Sequence, residues 1–206
     1  MKKYIMLLGI LISLGIVAVL IATQVPTKPY ANNNELTEIT DSNLSQIYKN
    51  SEQGFSIRYP EGYTVNASYS SDSIDTGDKI FGTEFKIPTS IVSGTNLSQD
   101  SSIIIEQIPQ TNECTAKLFL YEGATIYTAT ESGITYSIGT ISDAAAGNRY
   151  ELTVYALPGT NPCIGVKYFI HYGAFENYEP GTITEFDKDA LIQEFDQIRR
   201  TLIINQ

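Results

Sequence analysis

Residues 163–172 constrain the fold of this chain more than any other segment, because their side chains alternate along the whole length. One set consists of Ile164, Val166, Tyr168, Ile170 and Tyr172, and the other consists of Cys163, Gly165, Lys167, Phe169 and His171. An uninterrupted apolar set at every second position predicts a β-strand with one face towards a hydrophobic core. The chain must therefore build a sheet around this strand.

Shorter segments of the same kind predict the neighbouring strands of that sheet. They are residues 55–59, 63–65, 80–87, 102–108, 134–141 and 149–157, mostly bounded by proline or glycine. Apolar residues at helical spacing predict helices over 113–121 and 187–202, with a further short helix near 44–48. Arg199 and Arg200 end the helix 187–202 and complement its dipole. We predict an α+β fold: an antiparallel β-sheet of six or seven strands with helices packed on its faces.

Two cysteines, Cys114 and Cys163, are the only ones in the chain. Outside the cytoplasm such a pair most often forms a disulfide, although a metal site or a free thiol are the alternatives. With one histidine and no Cys-x-x-Cys, the spacing typical of zinc ligands is missing. We predict a disulfide and no metal. The disulfide would hold helix 113–121 over the sheet face that carries Lys167 and His171.

The N-terminus carries an uncharged apolar run over residues 5–22, directly after Lys2 and Lys3. Its length of roughly 27 Å as a helix approaches the hydrocarbon thickness of a bilayer, so residues 1–22 are predicted to be a single-pass transmembrane anchor. The two lysines predict a cytoplasmic N-terminus at the cell membrane. A cleaved signal peptide is the alternative, but Leu20-x-Ala22 is a poor cleavage site. Either reading places the rest of the chain outside the cytoplasm.

Beyond the anchor, composition predicts a spacer and one domain. Residues 23–50 are rich in Asn, Thr and Ser, which predicts a flexible spacer, and residues 51–206 suit a single extracytoplasmic domain. Without Lys2 and Lys3, 11 of the 13 basic residues remain against 23 acidic ones, a net charge of about −12. This acidity keeps a domain soluble or suits a cationic partner. It argues against nucleic acid and against binding to anionic lipid headgroups, so the membrane is expected to be contacted through the N-terminal helix.

Two short motifs resemble the PsbP-like domains. Residues 54–63, Gly-Phe-Ser-Ile-Arg-Tyr-Pro-Glu-Gly-Tyr, resemble the family's opening strand, with Tyr63 where the family usually has Trp. Residues 195–202, Phe-Asp-Gln-Ile-Arg-Arg-Thr-Leu, are similar to its final helix. The resemblance implies an α/β/α sandwich around an antiparallel sheet on an exported, membrane-tethered protein. Residues 161–177 resemble a block in uncharacterised membrane-anchored bacterial proteins, which implies no activity.

Candidate functional residues gather after the strongest strand. His171, Tyr172, Glu176, Asn177 and Tyr178 lie at its end and in the following loop, where binding residues often occur. Arg149 would join them if the hairpin that contains it lies next to this strand. The alternative is structural: Tyr172, Phe175 and Tyr178 would pack beneath the loop, and His171 would be hydrogen-bonded and inert.

The sequence supports two hypotheses about function. It contains no Gly-x-Ser-x-Gly, His-Glu-x-x-His, Walker A or dinucleotide-binding motif, and we predict no catalytic residue and no cofactor. The first hypothesis is a membrane-tethered module that binds a protein or small ligand, or assembles, at the cell envelope. The second is an envelope hydrolase using His171 with acids from 176–187. An open cleft with a carboxylate about 3 Å from His171 would favour the hydrolase, whereas a filled surface would favour the module.

Overall fold

A computed structural model describes residues 43–72, 79–109 and 111–205. The strands are β1 (Gln46–Asn50), β2 (Phe55–Tyr59), β3 (Thr64–Asp72), β4 (Lys79–Lys86), β5 (Ser102–Ile108), β6 (Thr125–Glu131), β7 (Ile134–Ala145), β8 (Asn148–Ala156), β9 (Cys163–Gly173) and β10 (Ile203–Ile204). The helices are α1 (Thr89–Val92) and α2 (Lys188–Arg200), with 3₁₀ helices at Ala116–Phe119 and Phe175–Asn177.

Two antiparallel sheets contain all ten of these strands. The larger sheet has seven strands in the order β3-β4-β5-β9-β8-β7-β6, and the smaller has the order β1-β2-β10. β9 occupies the centre of the large sheet and pairs with β5 and β8 along its length. The predicted antiparallel sheet and α+β class are therefore confirmed, with seven strands in the principal sheet.

The two faces of β9 have different surroundings, as its alternation predicts. Its core face, defined by Ile164, Val166, Tyr168 and Ile170, belongs to the principal hydrophobic core, together with Leu191, Phe195 and Ile198 of α2. The rings of Phe195 and Tyr168 lie 5.3 Å apart. α2 begins where the side chain of Asp187 accepts a hydrogen bond from the backbone N–H of Ala190 at 3.0 Å.

The second face of β9, which carries Cys163, Gly165, Lys167, Phe169 and His171, is covered near its start by the segment after Cys114. The predicted disulfide between Cys114 and Cys163 is present, with a Cα–Cα distance of 5.1 Å. The ring of Phe119 lies over Gly165, where a Cβ atom would come within 2.9 Å of it. Leu120 likewise lies over Gly139 of β7, at 2.6 Å from a Cβ built there. The two glycines make room for this segment to lie close to the sheet.

Two local predictions differ from the structure, and one strand was not predicted. Residues 113–121 contain a 3₁₀ helix over Ala116–Phe119 rather than an α-helix. Residues 46–50, predicted to be partly helical and the end of the spacer, form β1, because Tyr48 and its neighbours pair with β2. β6 was not predicted from the sequence. Its side chains are mostly exposed and it lacks the apolar alternation on which the prediction of a strand relies.

Among the described residues, no helix is both long and apolar enough to cross a membrane. The predicted anchor and most of the predicted spacer lie outside these residues.

Candidate functional site

His171 lies on the second face near the end of β9, and both of its ring nitrogens have protein partners. Nδ1 lies 2.8 and 3.0 Å from the two carboxylate oxygens of Asp100. Nε2 lies 3.1 Å from Oδ1 of Asn148 on β8. The ring stacks on Tyr150 with centroids 4.4 Å apart, and the side chain is only 16% exposed. Both polar atoms of the ring are therefore in contact with other side chains of the protein.

The backbone of His171 is held as firmly as its side chain. Its N–H donates to Oγ of Ser101 at 3.0 Å, and its carbonyl accepts from the same hydroxyl at 3.1 Å and from Ser98 N–H at 2.8 Å. These bonds attach the loop that carries Asp100 to β9. They explain how a carboxylate distant in sequence comes to face the ring.

Activation of a serine, threonine or cysteine nucleophile by His171 as general base would need that hydroxyl or thiol hydrogen-bonded to the ring nitrogen opposite Asp100. Within the described residues, no serine, threonine or cysteine side chain is hydrogen-bonded to the imidazole, and Asn148 occupies the Nε2 side. Of the five clefts that we delineate among these residues, none is lined by His171. The carboxylate expected of a hydrolase is therefore present, and in the part of the chain that the structure describes no hydroxyl or thiol side chain is hydrogen-bonded to the ring.

The predicted site residues do not form one cluster, because the sheet separates them. Tyr150 pairs with His171, and the next pair along the strands is Arg149 with Tyr172. Since successive side chains of a strand point to opposite faces, Arg149 and Tyr172 lie on the other face from His171. Arg149 Nη2 lies 3.4 Å from Oε1 of Glu176, an exposed pair of the following loop.

Tyr172 belongs to a polar group that sequence reasoning missed. Its hydroxyl donates to Oε1 of Glu151 at 2.7 Å, and Nζ of Lys188 donates to the same oxygen at 2.6 Å. Burial raises the pKa of Glu151, but these two hydrogen bonds outweigh it and hold that pKa below its ordinary value. The hydrogen bond to Glu151 raises the pKa of Lys188. Burial and then Glu151 raise the pKa of Tyr172. No local sequence pattern links β8, β9 and the start of α2.

Replacing Glu151 with glutamine is expected to lower the free energy of unfolding by about 0.5 kcal/mol near neutral pH, since the pair with Lys188 is partly exposed. A lowered pKa means that the carboxylate stabilises the fold above its ordinary value of 4.5 and loses that effect as pH falls. The raised pKa of Lys188 keeps the effect until pH rises above 10.5. Urea unfolding at several pH values should show the difference from the native chain vanish towards about pH 3. Glu185→Gln, at an exposed position, is the control; an equal loss there would contradict the prediction.

The loop after β9 is anchored by backbone contacts and exposes two aromatic rings. Asn177 Nδ2 donates to the carbonyl of Gly147 at 3.1 Å, and the Tyr178 hydroxyl occupies the place that a Cβ of Gly173 would take. Phe175 and Tyr178 are nevertheless 43% and 39% exposed. More than half of the surface of each of these two residues is therefore covered, and the remainder faces outwards.

A second polar cluster surrounds Arg199, whose side chain is fully buried. Nε donates to the Tyr168 hydroxyl at 2.8 Å, and Nη2 donates to Glu131 at 2.7 Å and to Asp196 at 3.0 Å. The guanidinium carbon lies 3.9 Å from the ring centroid of Tyr155. Burial is the largest cause that raises the pKa of Tyr155 to about 12, followed by Asp196. The sequence predicted only a dipole interaction for Arg199, because Glu131, Tyr155 and Tyr168 come from three different strands, while Asp196 lies on the same helix.

No family model and no curated protein sequence matches this chain. Six chains of solved structures match it. One is a crystal structure at 1.50 Å resolution of a protein from Bacteroides thetaiotaomicron VPI-5482, with 11% sequence identity and a TM-score of 0.46. The alignment covers 79% of this chain and 49% of that protein, so the chain spans about half of that protein's length. At this identity and TM-score the comparison assigns neither a family nor an activity.

Proposed function

We propose that this protein is a membrane-tethered module outside the cytoplasm that acts by binding or assembly at the cell envelope. The observation that carries this proposal is the state of its one histidine: His171 is stacked on Tyr150, and both ring nitrogens are occupied by Asp100 and Asn148. A general base must be able to reach a proton of its substrate. A binding module needs no such freedom.

The location is supported by chemistry that suits an oxidising compartment. The disulfide between Cys114 and Cys163 is of the kind that persists outside the cytoplasm. The uncharged run 5–22 after two lysines supports an anchor with the N-terminus inside. N-terminal sequencing of the protein extracted from membranes tests this directly. Met1 is the expected first residue, and a first residue beyond Ala22 would contradict the uncleaved anchor.

A PsbP-like α/β/α sandwich is the architecture that we propose for the domain. Support comes from α2, whose Leu191, Phe195 and Ile198 share one core with β9, and from the segment around Phe119 on the second face. Such a sandwich leaves binding to its loops and edges, since both faces of the central strands are at least partly covered.

The surface that we propose for binding is the loop after β9, with Phe175, Glu176 and Tyr178, and the neighbouring Arg149. Phe175 and Tyr178 offer exposed aromatic area, while Arg149 and Glu176 offer exposed charges of both signs. Aromatic residues and arginine dominate the energetics of protein interfaces. A protein partner, or a small ligand with an apolar and a polar part, fits this combination.

Comparison of surface variants in the protein's own envelope tests the binding function. The full chain is crosslinked in envelope membranes, purified, and its crosslinked partners are quantified for the native chain and for Phe175→Ser with Tyr178→Ser. We expect the double variant to lose a specific partner by about tenfold, the usual effect of removing interface aromatics. Ile203→Ser, which also removes an exposed apolar side chain, is the matched control and should retain the partner.

The hydrolase remains the second candidate, and one distance favours it. Asp100 lies 2.8 Å from His171 Nδ1, as in sites where a carboxylate orients a catalytic imidazole. The test is whether the full chain hydrolyses envelope material and whether His171→Ala abolishes that activity while the far-UV circular dichroism spectrum is preserved. If both results are found, the hydrolase replaces the binding proposal. Any detected hydrolytic activity that survives His171→Ala would contradict the proposal that His171 is its catalytic base.

A further inference from the structure

β6 forms one edge of the seven-stranded sheet, and its outer side has no partner strand among the described residues. It pairs with β7 over seven consecutive residue pairs, from Thr125–Thr140 to Glu131–Ile134, with no shift of register. An edge strand of this regularity presents a row of backbone N–H and C=O groups ready to pair with another strand.

Proteins normally protect such edges with lysine, proline or a bulge, and β6 has none of these. Its sequence is Thr-Ile-Tyr-Thr-Ala-Thr-Glu, and Ile126 and Tyr127 are 40% and 49% exposed. The single charge, Glu131, is already paired with Arg199 at 2.7 Å and lies 3.7 Å from Arg200. The one charge of the strand is therefore already paired, and its other residues are mostly β-forming.

The opposite edge of the same sheet shows the usual protection. β3 has an irregularity between Asn66 and Tyr69 where its register to β4 shifts. Its last residue, Asp72, is exposed and forms an ion pair with Lys79 at 2.8 Å. The contrast indicates that the open edge at β6 is a feature of that strand and not of the sheet as a whole.

We infer that β6 pairs antiparallel with β6 of a second copy of this chain, around a two-fold axis at Thr128, so that two seven-stranded sheets become one continuous sheet. This inference concerns an edge that is separate from the loop after β9 and does not depend on the function proposed for that loop.

Self-complementarity of the strand is the reason for choosing a second copy as the occupant. About an axis at Thr128, Tyr127 faces the small Ala129 of the second copy, Ile126 faces Thr130, and Thr125 faces Glu131. Large side chains meet small or β-branched ones, and no like charges stand opposite each other, although the chain carries a net charge of −10. A strand that recruited a basic partner would need free acidic side chains, which β6 lacks. Such a pairing is isologous and closes as a dimer.

Single cysteines test the register of this pairing. Cys114 and Cys163 are bonded to each other, so an introduced thiol is the only free one. In the dimer, residues 128 of the two copies face each other, whereas residues 130 lie about 14 Å apart along the strands. The full chain in detergent, mildly oxidised, is expected to form a covalent dimer with Thr128→Cys at least about tenfold faster than with Thr130→Cys, because a disulfide requires close Cβ atoms. Equal rates would overturn the proposed register.

Charge placed on the axis tests the dimer itself. Thr128→Lys puts two lysines opposite each other and should raise the dissociation constant of the dimer by about tenfold or more in sedimentation of the detergent-solubilised full chain. Thr64→Lys, at an exposed position on β3, is the matched control and should leave the dimer unchanged. Three results would overturn the inference: a monomeric native chain at about 100 μM, well above the dissociation constants of specific complexes; a dimer that survives Thr128→Lys; or a monomer that binds a different protein at β6.

Discussion

Replacing Arg199 with methionine is expected to lower the free energy of unfolding by about 3 kcal/mol, in the range found when one partner of a buried charge network is removed. The side chain is fully buried, and it donates to the Tyr168 hydroxyl, Glu131 and Asp196. Methionine restores most of the volume but none of the three hydrogen bonds. It would leave the partly exposed carboxylates of Glu131 and Asp196 with the longer contacts to Arg200.

The aromatic neighbours of Arg199 add to this loss. The guanidinium carbon lies 3.9 Å from the ring centroid of Tyr155 and 4.8 Å from that of Tyr136, and the two rings are nearly perpendicular to each other. Its Nη1 atom is buried without a hydrogen-bond partner. A desolvated cation–π contact stabilises by roughly 2 kcal/mol. Lysine would keep the charge but not the planar shape, so Arg199→Lys is also expected to destabilise the fold.

Arg200 offers a matched control in the next position of α2. It approaches the same two carboxylates, Asp196 at 3.4 Å and Glu131 at 3.7 Å, but its side chain is 50% exposed. Arg200→Met makes the same chemical change and should cost about 0.5 kcal/mol or less. Urea unfolding of the full chain, followed by tyrosine fluorescence, measures both variants. Equal losses would show that the helix end needs only positive charge, as its dipole alone would suggest.

Local sequence patterns predicted those elements whose side chains repeat with the period of a strand or a helix. Side chains alternate along residues 163–172 because the two faces of this strand meet different surroundings. The sequence therefore predicted β9 and its two faces. The stripe of Leu191, Phe195 and Ile198 predicted α2 for the same reason. β6 escaped prediction because an edge strand with exposed side chains is stabilised by its backbone pairing with β7, which leaves little trace in hydrophobicity.

Charged residues inside the sheet show the limit of such reasoning most clearly. Lys167 lies on the second face of β9 at 8% exposure, and its Nζ lies 2.6 and 2.7 Å from the carboxylate oxygens of Glu106. Glu106 is 61 residues away in sequence and itself fully buried. Only the pairing of β5 with β9 brings the two together, and that pairing is a property of the assembled sheet.

The candidate site was predicted as a set of residues but not as a geometry. His171 and Tyr172 were both chosen for their position at the end of a strong strand, yet adjacent strand residues point to opposite faces. The partners that determine their chemistry, Asp100 for His171 and Glu151 for Tyr172, come from another loop and another strand. Sequence proximity was therefore a poor guide to which side chains act together.

Removal of the disulfide is expected to destabilise the fold more than Arg199→Met does. Cys114 and Cys163 are 49 residues apart, and closing a loop of that length stabilises the folded state by about 4 kcal/mol in the chain-entropy model. Cys163 is fully buried and Cys114 nearly so, which means that alanine at both positions also loses some packing. The double variant Cys114→Ala with Cys163→Ala should therefore unfold at a much lower urea concentration.

The dependence of unfolding on urea separates the two contributions to this loss. If the disulfide acts on the unfolded chain, its removal lets that chain expand, and the slope of free energy against urea should increase. Loss of packing alone would move the midpoint and leave the slope unchanged. Reductant supplies the control, because it should destabilise the native chain towards the double variant and leave the variant itself unaffected. A loss below about 1 kcal/mol would show that β9 and the segment over its second face hold together without the crosslink.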